Sequence, residues 1–201
     1  MDPTEKTSPE QIIARTRSWL EKAVIGLNLC PFAKAVHVHD QIRYAVSMAS
    51  TPQELHDNLI SELQKLNEAD PKEIDTTLLI HPFVLTNFLD YNDFLDIADA
   101  ALEDLGLGGQ IQIASFHPQY QFAGTKTDDI DNCTNRSPYP ILHLLRESSI
   151  ERAVAAFPDA GEIYNRNIAT MRRLGHEGWN KLNASFDRTP AMKWNNEKQK
   201  N

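Results

Sequence analysis

Two strand-like segments of this 201-residue chain end in the same dipeptide, His81-Pro82 and His117-Pro118. Imidazole titrates near neutral pH and ligates transition metals, so such a pair points to general acid–base work or to a metal site. In parallel strands both histidines face one edge of the sheet. On neighbouring strands they stand about 5 Å apart in the hydrogen-bonding direction; with a strand between them, ~10 Å, where a shared ion is strained or impossible. In the metal form, His81 and His117 bind zinc or iron and His143, Cys30 or a loop Asp is the third ligand, with one position left open. The plainer alternative is that each His-Pro stops its strand and bonds a backbone carbonyl through its ring.

Cys30 lies just past a predicted helix and before Pro31, which pushes it out of the helical region. A helix C-terminus disfavours a thiolate. A nearby His81, His117 or Arg would reverse that and make the thiol reactive. Otherwise Cys30 is a buried, inert thiol.

Residues 111–147 organise the rest. They open as a strand, break into an irregular stretch of about 20 residues, a length that is usually functional or disordered, and close on a predicted helix that starts near Ser137-Pro138 and runs to Arg146. The stretch holds His117, Tyr120, Phe122, Cys133, Arg136 and three Asp, which suits a site loop. On the predicted helix, Ile141, Leu142, Leu144 and Leu145 form the buried side, while Tyr139, His143, Arg146 and Glu147 share a face. Free amides at its start, beside Asn135 and Arg136, make an anion site. The expected ligand set is Asn135, Arg136, Ser137, Tyr139 and Arg146, for a phosphate or carboxylate. Alternatively Arg146 pairs with Glu147 or a loop Asp, and Ser137 merely caps. Asp128, Asp129, Asp131 and Asn132 lack the spacing of a calcium loop. Gly-rich phosphate loops, zinc-helix motifs and nucleophile elbows are absent from the sequence.

The elements that would position these groups follow from periodicity. Ser8-Pro9-Glu10-Gln11 is a capping box with Pro at the first helical position, and Ile12, Trp19, Leu20, Ala23 and Val24 recur at helical spacing. Residues 41–47 alternate as a strand. Thr51-Pro52-Gln53-Glu54 caps a helix through Leu66. Residues 76–80 form a short apolar strand, Asn92 caps a third helix stopped by Gly106, and residues 110–116 form the third strand. Such alternation predicts a small α/β fold: a three-stranded parallel sheet (βαβαβ) with an N-terminal helix and a helical C-terminal part. The later helices are expected at residues 150–157 and 160–174, ended by Gly175, with a short piece around Trp179. A further strand at residues 36–39 also fits.

Composition sets the outer limits. The chain fits one domain, residues 1–183, with a polar tail at 184–201. Such a chain buries roughly 70% of its unfolded surface, enough for a core without disulfide or metal. A net charge of −8 argues against non-specific nucleic-acid binding. No apolar run reaches the ~18 residues of a membrane span. The start, Met1-Asp2-Pro3-Thr4-Glu5-Lys6, is polar and acidic rather than the basic-then-apolar pattern expected of a signal peptide. A cytoplasmic protein with two free thiols is expected.

Four stretches carry a family resemblance: residues 29–33 around Cys30-Pro31, 79–82 around His81-Pro82, 115–122 around His117-Pro118, and 135–140 around Arg136. Together they resemble the bacterial family named Domain of Unknown Function 1415, over about residues 16–182. The resemblance implies a soluble bacterial protein and brings no activity or cofactor.

The residues point first to an enzyme whose cleft at the carboxyl ends of the strands gathers His81, His117, Cys30, His143 and the 135–146 segment, with a small anionic substrate. A non-catalytic binder of a small anion, and a structural or partner-binding protein, are the alternatives.

Overall fold

Ser8 caps the first helix with a reciprocal capping box to Gln11, as its sequence predicts. The structure, a computed structural model, describes residues 7–156 and 160–187. Helix α1 (Pro9–Trp19) continues into a π-helical segment, Leu20–Ile25. After a turn comes α2 (Ala33–Val38), a short helix over the residues where a further strand was expected. Then follow β1 (Ile42–Val46), α3 (Pro52–Glu68), β2 (Thr76–Ile80), α4 (Phe88–Asp104) and β3 (Ile111–Phe116). Thr51 caps α3 with its own capping box. The cap of α4 is Asn87, not Asn92, because the Asn87 side chain accepts from the Leu89 and Asp90 amides. Gly106, at φ +65°, ends that helical run.

The segment expected as a helix after the loop is a strand, β4 (Ile141–Arg146). It enters between β2 and β3 and runs antiparallel to both, giving the order β1-β2-β4-β3. The sheet is therefore four-stranded and mixed. The three strands read from sequence do point the same way, but only β1 and β2 pair in parallel. The run Ile-Leu-His-Leu-Leu-Arg is packed on both faces, so it shows no period-2 alternation, and a short apolar run of that kind does not distinguish strand from helix. Then come α5 (Glu147–Ala155) and α6 (Ile163–Ala184). α6 is interrupted at Gly175, whose φ of +66° and ψ of 174° no side chain favours.

The sheet divides two cores. On one face Ala45, Leu79, Leu142 and Leu144 pack against α3 and α4, where Leu55, Leu59, Leu63, Leu66 and Tyr91 are wholly buried. Each such leucine contributes about 1.5–3 kcal/mol by leaving water. On the other face Leu78, Ile80 and Ile141 pack against Trp19, Leu20 and Val24, with Met171 and Trp179 of α6 behind them. Phe186 is buried against Trp179 and Asp187 pairs with Arg15, so packing continues past the 183 boundary. Residues 188–201 and Phe157 lie outside the described residues.

Candidate functional site

Strand parity separates the residues that the sequence groups together. Side chains alternate across a sheet. His81 follows Ile80, and His117 follows Phe116, so both fall on the α4 side of the sheet. His143 is paired directly with Leu78 and Ala114 and faces the other side, toward α1.

Both histidines of the His-Pro pair are fully buried. β4 stands between their strands. The Tyr91 ring stacks on His81 at 5.7 Å between centroids and tilts against His117 at 5.1 Å. His81 bonds the Val84 carbonyl through Nδ1 at 3.1 Å. His117 bonds the Leu85 carbonyl through Nε2 at 3.2 Å and accepts the Gln119 amide at Nδ1. The two rings thus fasten one short connection, residues 82–87, onto the sheet edge. Burial pushes His81 down to about 4 and lowers His117 as well, so both are neutral. The expected metal geometry is not met: His117 has both nitrogens engaged, and among the described residues no three His, Cys, Asp or Glu side chains gather as ligands. The crevice expected at the carboxyl ends is filled here by Phe88 and Tyr91 of α4.

The expected anion ligands are dispersed by the same change of helix to strand. Arg146 lies at the far end of β4, where its guanidinium takes the carbonyls of Leu66, Ala69 and Ile74 and closes the end of α3. Arg136 donates to the Tyr120 and Thr127 carbonyls, drawing the long loop together. Asn132, fully buried, accepts from the Phe122 amide and the Thr125 hydroxyl and donates to the Lys126 carbonyl. Asn135 donates to the Ser115 carbonyl, Ser137 to the Tyr139 carbonyl, and Tyr139 lies under the Arg15 guanidinium. Arg136 and Asn132 thus hold the loop to itself, while Asp131 pairs with Arg172 of α6 and the Arg136 carbonyl accepts from the Trp19 indole.

What the structure does bring together is Cys30 and His143, in a cavity of about 700 Å³ on the α1 side of the sheet. Its floor is β2, β4 and β3, through Leu78, His143, Ala114 and Phe116. Its walls are Trp19, Leu20 and Val24 and the 30–36 turn, and α5 covers one end through Ile150 and Ala153. Thr76 donates its hydroxyl to the Leu144 carbonyl at 2.7 Å, so it accepts from His143 Nε2, also at 2.7 Å. That fixes the tautomer and leaves Nδ1 as an acceptor without a partner among the described residues. Burial pushes His143 down to about 4, so the ring stays neutral. Burial also raises the Cys30 thiol, against the pull of the Phe32 and Ala33 amides, so the sulfur is protonated at neutral pH. Cys30 and His143 are therefore both uncharged, not a thiolate–imidazolium pair. Asn167 of α6 holds the Leu29 carbonyl and so fixes the turn that presents Cys30.

The family described as Protein of unknown function (DUF1415) matches residues 11–181. The chain belongs to that family. No curated protein and no solved structure matches it.

Sequence reasoning missed the chamber's other polar groups, Asp75, Thr76, Gln112, Ser149 and Arg152. The signal was parity: once β4 is a strand, residues 76, 143 and 112 fall on one face by counting in twos. Among the described residues no helix is long and apolar enough to cross a membrane.

Proposed function

We propose that this protein binds a small molecule with an apolar body in the cavity beneath α1 and α5, with His143 as its internal polar contact. The observation that carries this is the chamber itself. Its volume of about 700 Å³ lies within the ~300–1,000 Å³ of small-molecule sites, and its lining is apolar with few polar groups. The half-buried His143 imidazole lines the cavity and is held at Nε2 by Thr76, which leaves its other nitrogen available as an acceptor. A net charge of −8 supports a small-molecule partner over a polyanion.

The test is a thermal-shift screen of small apolar compounds against wild type and Ala114→Trp, which fills the floor. A true ligand at a hundredfold excess over its Kd stabilises by about 2.7 kcal/mol, roughly 5–10 °C for a chain of this size. The shift should disappear in Ala114→Trp. Equal shifts in both proteins would remove the cavity from the function.

A second reading, catalysis, is favoured by one observation: Cys30 shares this cavity with His143. An enzyme working through that thiol needs ligand binding to lower the sulfur's pKa. Iodoacetamide labelling of Cys30 at pH 7 should then accelerate in the presence of a ligand from the screen, and His143→Gln should abolish the acceleration. Slow labelling in every case leaves binding alone.

A further inference from the structure

We propose that the ligand is an amphipathic carboxylate of medium chain length, lying along the strands with its carboxylate under α5 and its chain toward Trp19 and Phe116. This rests on the cavity being the binding site.

The pairing register orders the floor of the chamber into rows. Thr76 and Gln112 lie in the first row, both opposite Leu145. Leu78, His143 and Ala114 form the second. Phe116 lies in the third, opposite Ile141. From Leu145 to Ile141 is four residues along β4, about 13 Å at ~3.3 Å per residue. Polarity falls along that length. The first row adjoins Asp75, Ser149 and Arg152; the third is closed by the Phe116 and Trp19 rings, edge to face at 5.3 Å. A charged group at the aromatic end would be desolvated with nothing to pair it. The head therefore belongs at the α5 end.

The sign of the head follows from the hydrogen bonds there. Ser149 donates its hydroxyl to Asp75 at 2.6 Å and accepts from the Arg152 guanidinium at 2.9 Å. The Asp75 carboxylate thus has a donor already. Arg152 has no carboxylate partner among the described residues. α5 starts without a side-chain cap; its first amide, of Glu147, donates to the Gln110 carbonyl at 2.9 Å, so the guanidinium of Arg152 is the group that favours an anion here. The Gln112 amide, at the same end, makes no hydrogen bond to the described residues. One guanidinium fork matches one carboxylate. A doubly charged phosphate would meet Asp75 with its second charge.

The experiment is isothermal titration calorimetry at pH 7.5 with decanoate, octanoate, butyrate and decanol, on wild type, Arg152→Ala and Ala114→Trp. Arg152 is exposed, so its removal should leave the fold intact. Decanoate should bind wild type, and each methylene removed should weaken it about fourfold. Arg152→Ala should weaken decanoate about two- to fivefold, the loss expected of a solvent-exposed ion pair, and leave decanol unchanged. The proposal falls if Arg152→Ala leaves the decanoate-to-decanol ratio where it was, or if butyrate binds as well as decanoate. If decanol binds wild type but not Ala114→Trp, and decanoate binds neither, the head assignment fails and the cavity stands. If neither chain binds wild type, both fail.

Discussion

His81 and His117 act as fasteners. Each imidazole spends a nitrogen on a carbonyl of the same 82–87 connection, at Val84 and Leu85. The consequence is a pH dependence of stability. The folded-state pKa values are depressed by burial, to about 4 for His81 and His143, and lowered for His117. The unfolded chain, with histidines near 6.5, therefore binds protons first as the pH falls. The stability held by these neutral rings is complete above about pH 6.5 and declines toward pH 4. Urea midpoints measured at pH 7.5, 6 and 5 should fall in that order. His81→Gln should flatten the decline, and a level profile in wild type would contradict the assignment. The repeated His-Pro was legible as two strand ends. Which role the rings take was not, because it depends on carbonyls brought back by α4.

At the scale of elements, β4 decides the site. As a helix, residues 138–146 would have set Arg136 and Arg146 beside one anion. As a strand, they put His143 into the chamber and send Arg146 to the far edge, against the last carbonyls of α3. Arg146→Ala should therefore cost about 1–3 kcal/mol in urea unfolding, since it leaves buried carbonyls unsatisfied. It should not change decanoate affinity, and a lost affinity in a folded Arg146→Ala protein would place it in the site after all. The capping boxes at Ser8 and Thr51, and the strand of residues 76–80, were readable because their signals are local. The identity of β4 was not, because apolar burial on both faces erases the alternation that marks a strand.

Across the whole molecule, the sheet has a filled side and an unfilled one. On the α3–α4 side Leu142 is fully buried, and Leu142→Ala should cost about 2–5 kcal/mol, the loss of transfer energy plus a cavity. On the α1 side the chamber already exists, so Ala114→Leu should be neutral or stabilising where an ordinary core would be overpacked. Denaturant unfolding of the two variants checks the asymmetry directly. If Ala114→Leu is as damaging as Leu142→Ala, the chamber is not open in solution.

The sequence by itself determined the α/β class, the starts of α1 and α3 and the positions of β1, β2 and β3, because caps and periodic apolar residues act over a few positions; its short motifs also carried membership of the DUF1415 family. It also marked His81, His117, Cys30 and His143 as chemically notable. Only the tertiary structure decided that the first two face α4 while the last two share a chamber on the opposite side. That partition depends on where β4 inserts and in which register, and a shift of one residue there would exchange its two faces. Register is set by contacts among β2, β4 and β3, segments separated by dozens of positions in the chain, and no local pattern records it.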